Sequence, residues 1–540
     1  MPSEVEAKLI APGELRLPDL SGLVEAATTV RLPDRHLDAI YYDTADFGLV
    51  RNGITLRYRS GEDGPPWTVK LPEASSGAVL RRREVSFDGA PRLVPSQAAD
   101  LVRAYTRCRP LVRVVRLRTD RTPVEIRGPD GGRLAEITDD RVAVYGERGR
   151  RTGGFREIEV EVRAEGRVGR RLMRAAVSRL VAAGCRAEPP IPKVIRALGQ
   201  PASGPPDVVV PPTGADATVS TLIRYATSRS VTQILRHDPG VRLGEDPEDV
   251  HQFRVATRRL RSDLRTFAPF LDPEPVSEVR GRLRLLGAKA GAARDTDVLA
   301  DRLKAKADML PEQDAAGVGQ LLHRLDDQAR EARSALLQEL RSSSYDQLLD
   351  TLVDIAARPP IATEPPGLAG QRAADLAAGL IRRPWRRLKR AAKALERHSP
   401  DTQWHALRIR AKQCRYAAEA VAPVYGPQAR RFAASVAAVQ DILGDHQDTV
   451  VAEAWLRNTG AALTPACVAA GELITSMRLE RARLRSKWPK AWKRASARKL
   501  HRWLGKGRSH SEPRQSIPAV SPAGQPLART GEAGPVPSHR

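Results

Sequence analysis

Aromatic residues make up only 4% of this 540-residue chain. Reading nucleic acid bases needs stacking platforms or a patterned recognition helix, and neither pattern occurs, so a nucleic-acid-binding role rests on charge alone. Four cysteines, Cys108, Cys185, Cys414 and Cys467, lie far apart with no Cys-x-x-Cys pair. That spacing suggests neither a disulfide framework nor a thiolate metal site, and it fits a reducing compartment. No stretch approaches 18 uninterrupted apolar residues, and the first residues lack a basic segment followed by an apolar run. A soluble, cytoplasmic protein with no membrane partner is expected. Acidic residues are also scarce: 64 Asp and Glu stand against 89 Lys and Arg, a net charge of +25. A chain of this length exceeds one core, and its charge favours a polyanionic partner.

Short alternating runs punctuate residues 1–200: "ITLRYR", "WTVKLP", "LVRVVRLRT", "TPVEIRG", "LAEITDDRVAVY" and "REIEVEV". They predict strands, with "GPDGG" at 128–132 as a hairpin turn and "VGRRLMRAAVSRLVAAG" near 168–184 as a helix ended by glycine. An α+β, mostly antiparallel domain follows. Residues 201–215 are rich in proline and small residues and read as a linker. Residues 216–505 carry helical periodicity without a strand signal and predict an all-α domain. Residues 506–540 hold almost no large apolar side chains and predict a disordered tail.

The strands place charge at every second position. In "SEVEAKLI", Glu4, Glu6 and Lys8 share one face, and Val5, Ala7 and Leu9 the other. The habit recurs in Arg57 and Arg59, in Arg82 and Glu84, in Arg116 and Arg118, and in Glu157, Glu159 and Glu161. One such strand reads as a solvated sheet face; the set predicts a closed antiparallel β-barrel with its charged faces inward. Buried charges of both signs must pair or meet a ligand. Lys and Arg suit phosphate oxygens, and carboxylates beside phosphates suit a bridging hard cation.

With these pieces "YYDT" at 41–44, "VKLP" at 69–72, "DDRV" at 139–142 and "IPKVIRAL" from 191 occur in order. Residues 1–200 resemble the CYTH family, the triphosphate tunnel metalloenzymes, which include adenylate cyclases and thiamine and inorganic triphosphatases. The resemblance implies Mg²⁺ or Mn²⁺ held by Glu4, Glu6, Asp140, Glu159 and Glu161, and catalysis resting on Glu4, Glu6 and Lys8. It implies a phosphate path lined by Lys8, Arg57, Arg59, Lys70, Arg82, Arg116, Arg118 and Lys193. Asp139 stays open as an alternative to Asp140, and three consecutive arginines, 81–83, leave the Arg82 register open.

Two helical segments, "HQFRVATRRLR" from 251 and "HALRIRAKQCR" from 405, share one pattern of His, Arg, Arg or Lys, and Arg. About 40 residues beyond each comes a second correspondence, "GAARD" from 291 and "GDHQD" from 444. This is an internal duplication. At about 100° per residue the four positions fall within an arc of roughly 80°. His251, Arg254, Arg258 and Arg261 therefore form one stripe, and His405, Arg408, Lys412 and Arg415 another. Neither stripe contains an acidic partner, and the expected architecture is two antiparallel bundles that bring both stripes to one groove. "EDPEDVH" and "HSPDTQWH" each place an N-cap before a proline, just upstream of the histidine. Residues 216–505 resemble the CHAD family, a helical domain often attached to CYTH domains and associated with inorganic polyphosphate. That resemblance implies polyphosphate binding by the two stripes, with Lys289 and Arg294 as further contributors.

The expected function is metal-dependent hydrolysis of inorganic triphosphate or short polyphosphate, with a helical module that holds the longer polymer. A non-catalytic polyphosphate-binding protein is the alternative, and a nucleic-acid binder the third reading.

Overall fold

The computed structural model describes residues 5–72, 82–146, 149–164, 166–187, 191–364, 366–460 and 466–505. The 506–540 tail and Glu4 lie outside the described residues. The first unit contains β1 (Val5–Ile10), β2 (Thr28–Arg31), β3 (Arg35–Asp43), α1 (Gly48–Arg51), β4 (Thr55–Ser60), β5 (Trp67–Pro72) and β6 (Arg82–Phe87). It continues with α2 (Ser96–Leu101), α3 (Arg103–Thr106), β7 (Val112–Arg127), β8 (Arg133–Tyr145), β9 (Arg151–Val162), α4 (Gly166–Ala182), β10 (Arg186–Ala187) and α5 (Lys193–Leu198). The strands form one antiparallel sheet in the order β10-β1-β9-β8-β7-β3-β4-β5-β6, and β2 pairs with β7.

The β7–β8 hairpin turns where "GPDGG" predicts it. Gly131 sits at φ +77°, a left-handed conformation that glycine adopts without strain, and Gly128 N–H donates to the Gly132 carbonyl at 2.8 Å. Helix α4 lays Leu172, Ala176 and Leu180 over Leu9, Ile158 and Val160 of β1 and β9. One face of the sheet is thereby dry, and the charged residues of the same strands are left on the other.

The closed barrel expected from the charged strands is not closed. Among the described residues no ladder joins β6 to β1, and β10 occupies part of the free β1 edge by pairing with Leu9 and Ile10. The sheet nonetheless curls, since the Glu6 carboxylate on β1 acts on Lys70 of β5 and Arg82 of β6.

The second unit is helical: α6 (Val219–Leu243), α7 (Pro247–Thr266), α8 (Pro273–Ala307), α9 (Ala315–Leu340), α10 (Ser343–Ala357), α11 (Ala373–Lys393), α12 (Asp401–Tyr425), α13 (Pro427–Gly460), α14 (Cys467–Ala495) and α15 (Arg498–His501). Helices α6–α9 and α11–α14 each pack in sequence, and α7 meets α12 between the two sets. Asp246 caps α7 through the Glu248 N–H, with Pro247 at the first helical position, as its sequence predicts. Helix α12 differs: it starts at Asp401 with Pro400 at the cap position, and the Ser399 hydroxyl accepts from the Glu396 N–H instead. The inner faces bury Phe253, Leu260, Leu264 and Phe267 on α7 and Leu407, Cys414, Ala418 and Val421 on α12. Burial of each Phe or Leu is worth about 1.5–3 kcal/mol, and this fixes which way the arginine stripes point.

The two units share one apolar core, in which Leu56 and Trp67 of the sheet join Leu101, Tyr105 and the helices. Arg103 donates to Asp346, Arg107 to Asp350, and Arg242 to Asp100 across the same boundary. The proline-rich stretch 201–215 is pinned by Arg51 to the Pro205 carbonyl and by Arg107 to Asp207. Among the described residues no helix is long and apolar enough to cross a membrane.

Candidate functional site

Cross-strand partners project on the same face of a sheet, so the pairing register assigns every charged residue to a side. Glu6 lies opposite Glu161, Lys8 opposite Glu159, and Glu157 opposite Asp140, which lies opposite Arg121. On the same face Tyr41 pairs with Arg57, Ala39 with Arg59, and Lys70 with Glu84, two residues from Arg82. Lys193, at the start of α5, reaches Asp140 at 2.7 Å, Glu159 at 2.9 Å and Glu157 at 3.0 Å.

The face has two electrostatic halves. On β1, β8 and β9 the carboxylates are saturated by cations. Arg121 donates to Asp140 at 2.8 and 2.7 Å and to Glu159 at 2.9 Å, and Lys8 pairs with Glu159 and, at 2.8 Å, with Glu6. Burial opposes the Lys8 and Lys193 charges, but the surrounding carboxylates outweigh it and hold both pKa values above normal. Burial also opposes the Glu159 charge, yet Lys193, Lys8 and Arg121 keep its carboxyl well below the usual range. Burial instead prevails at Glu157 and pushes it up.

On β4, β5 and β6 the balance reverses. Burial and the neighbouring Arg57 lower Arg59 to about 10 despite its pairing with Glu62. Burial and Arg57 also lower Lys70, although Glu84 pairs with it, and burial lowers Arg82. Arg57 acts on buried Tyr41 by charge and hydrogen bond, lowering the phenol against the effect of burial. Arg57 thus crowds Arg59 and Lys70 beyond what Glu62 and Glu84 offset, and a polyanion bound here would relieve both.

In the helical unit the two predicted stripes converge. Arg254 and Arg258 of α7 and Arg408 and Lys412 of α12 lie close enough that burial and the three arginines lower Lys412 to about 7. Burial lowers His251 against the pull of Glu248, and Arg294, Arg258 and Arg254 add to the lowering. Arg254 lies across Gly291, and Arg408 across Gly444: a Cβ on either glycine would meet the Nε at 3.5 and 3.9 Å. The same contact in each half is the structural form of the duplication. The Nε atoms of Arg258, Arg294 and Arg408 are buried and without a hydrogen-bond partner.

The expected absence of acidic partners within the stripes fails on α12, where Glu419 takes Arg415 from the same helix, and it fails again in the groove. Asp295 pairs with Arg254 at 3.1 Å, and Asp448 acts on Arg408. Both belong to the later corresponding segments, so each acid arrives from the following helix.

Two family models match the chain: a CYTH domain over residues 2–170 and a CHAD domain over 226–457. An uncharacterized protein found in two strains of Mycobacterium tuberculosis is 31% identical over 476 residues, covering 84% of this chain and 88% of that one. The chain belongs to the proteins that join a CYTH domain to a CHAD domain. Among solved structures, PptA from Streptomyces chartreusis is 23% identical, covering 51% of this chain and 100% of its own, with a TM-score of 0.43. The CHAD domain from the plant Ricinus communis is 27% identical, covering 56% and 96%, with a TM-score of 0.41.

In this CYTH and CHAD protein the register separates the sequence-predicted residues. Glu6, Lys8, Arg57, Arg59, Lys70, Arg82, Asp140, Glu159, Glu161 and Lys193 share the charged face. Arg116 and Arg118 do not: they pair with Ile40 and Asp38 on the opposite face, where Arg116 donates to Asp38 at 2.7 Å. Arg121 enters instead, because it lies an odd number of residues from both. Asp139 points away and binds Arg156, which separates it from Asp140. Arg83 also faces away and pairs with Glu245 of the helical unit.

Among the described residues no three carboxylate, histidine or cysteine side chains are gathered closely enough to hold a metal ion. Asp140 is wholly occupied by Arg121 and Lys193. Arg121, Glu157 and Tyr41 join the site without having been assigned a role from sequence, although Glu157 shares the strand parity of Glu159 and Glu161. In the helical unit Arg415 is taken by Glu419 at 2.6 Å, His405 hydrogen-bonds Gln447 at 2.8 Å, and Lys289 pairs with Glu339 at 2.6 Å, outside the convergent set.

Proposed function

We propose that residues 1–200 form a triphosphate tunnel that hydrolyses inorganic triphosphate or short polyphosphate, and that residues 216–505 bind the longer polymer. The observation that carries this reading is the gathering of Arg57, Arg59, Lys70 and Arg82 on one face, where burial and then Arg57 lower the pKa of Arg59 and Lys70. Arginine and lysine in that arrangement hold a phosphate chain in line, so that water attacks a terminal phosphorus from a fixed direction. Glu6 and Glu161 are cross-strand partners with Glu159 two residues along, and their oxygens are of the type a hard cation takes, although the three side chains are not gathered around one point in this structure. Glu6, Glu159 and Glu161, with Glu4, would hold Mg²⁺ or Mn²⁺, which when bound offsets phosphate charge. Lys8 and Lys193 hold Glu159 ionised for that role. The convergent helical stripes, with their buried unpartnered Nε atoms, favour a polymer of phosphates, and the linkage keeps it near the tunnel.

The test is metal-dependent phosphate release from tripolyphosphate and ATP by the full chain and by Glu6→Gln. Release that falls by about a hundredfold in the variant supports the reading. No release from the parent protein, with polyphosphate still bound, leaves a non-catalytic polyphosphate-binding protein. Displacement of polyphosphate by DNA at matched charge and salt would favour the nucleic-acid reading.

A further inference from the structure

The groove between α7 and α12 has two unlike ends. On the α12 side Arg415, the counterpart of Arg261, is neutralised by Glu419, which also takes Arg259. Beyond it, in the register set by Gly291 and Gly444, Ala433 and Ala437 of α13 occupy the positions that Arg280 and Arg284 hold on α8. On the α7 side Arg261 faces Arg280, Arg258 and Arg284, and Arg265 faces Arg280 and Arg261. Burial first, and then these neighbouring guanidiniums, lower the pKa of both Arg261 and Arg265. No ion pair relieves the four among the described residues, and the Arg280 Nε is buried without a partner. Arg261 and Arg280 are half-buried and Arg265 and Arg284 exposed, so the cluster is open to an anion that would bridge its like charges.

We propose that a polyphosphate chain leaves the shared groove on one side only, from Arg254 and Arg408 along α7 onto Arg261, Arg265, Arg280 and Arg284. The inference rests on the reading of the helical unit as a polyphosphate-binding module and adds a direction to it. Between Arg254 and Arg265 the helix rises about 16 Å, so a chain must be long to touch both ends. A short phosphate compound seated at the centre would not feel Arg280 or Arg284. Each arginine contact displaces condensed counterions, so the outer cluster contributes to the salt dependence of long-chain binding alone.

The experiment measures affinity for long-chain polyphosphate and for tripolyphosphate at several salt concentrations, using the full chain. Three double variants are compared: R280Q/R284Q on the proposed path, R430Q/R431Q at exposed positions on α13, and R254Q/R408Q at the centre. R280Q/R284Q is expected to weaken long-chain binding roughly tenfold and to lower the salt slope by about 1.4, with tripolyphosphate affinity within about twofold. R430Q/R431Q is expected to change neither. If R280Q/R284Q behaves like R430Q/R431Q while R254Q/R408Q still weakens binding, the one-sided path is overturned and the groove stands. If R254Q/R408Q has no effect either, the polyphosphate reading of the helical unit fails with it. Circular dichroism of each variant guards against loss of fold.

Discussion

Arg121 clamps the wholly buried carboxylate of Asp140 with two hydrogen bonds, 2.8 and 2.7 Å long, across the β7–β8 hairpin. The pair lies at the foot of the charged face, where Lys193 completes it from α5. Asp140→Asn keeps the shape and removes the charge, leaving two buried cations to share Glu159 and Glu157. Loss of one partner from a buried pair costs about 3 kcal/mol. The urea midpoint at neutral pH should fall accordingly, and an unchanged midpoint would show that Glu159 alone suffices.

The two faces of β7 should separate in kinetics. Arg121→Gln removes a cation that holds Glu159 and Asp140, so phosphate release from tripolyphosphate should drop by about one to two orders of magnitude. Arg116→Gln with Arg118→Gln removes two charges from the opposite face, beside Asp38, and should leave release within about twofold. Equal losses in the two variants would mean that overall charge, not the inner face, governs turnover.

Much of this arrangement was legible because period-2 and period-3.6 patterns act over short distances. "EIEVEV" places Glu157, Glu159 and Glu161 on one side whatever the fold, and the His251 and His405 stripes are fixed by helix geometry and repeated in the chain. Arg116 and Arg118 are expected on the phosphate path, yet Arg121 takes that face: in a regular strand 118 and 121 cannot share a face, and residue type does not say which is inside. Closure of the sheet depends on which strand takes the β1 edge, a long-range outcome that no local pattern contains, and β10 takes two residues of that edge. Asp295 and Asp448 stood in the corresponding segments, yet their pairing with the stripes needs the α7–α8 and α12–α13 packing, which no local pattern contains.

The boundary between the units should be tight. Asp346 is buried, accepts two hydrogen bonds from Arg103 at 2.9 and 2.5 Å, and lies beside a core shared by sheet and helices. Asp346→Ala strands that guanidinium at the boundary and should cost about 2–3 kcal/mol after allowance for the partial exposure of Arg103. Because one apolar cluster spans both units, the loss should appear as a lower midpoint of a common thermal transition. Two transitions, of which only one shifts, would show that the units unfold separately.

Polyphosphate binding should depend on pH through Lys412. Burial and the nearby Arg408, Arg258 and Arg254 hold its pKa at about 7, far below that of the unfolded chain. Between that value and the unfolded one the native state carries fewer protons, so this residue makes stability rise with pH above about 7 and opposes folding below it. Binding runs the other way. A polyanion favours the ammonium, so association takes up a proton, and affinity should fall by up to about tenfold per pH unit above 7. The groups that face Lys412 are Arg254 and Arg258 from α7, Arg408 from its own helix and Asp448 from α13, and of these only the carboxylate supports the charge. Lys412→Arg keeps the charge at every pH, so the slope should flatten while affinity near pH 6 changes little. Equal slopes in Lys412→Arg and the parent, measured at constant ionic strength between pH 6 and 9, would assign the proton to another group.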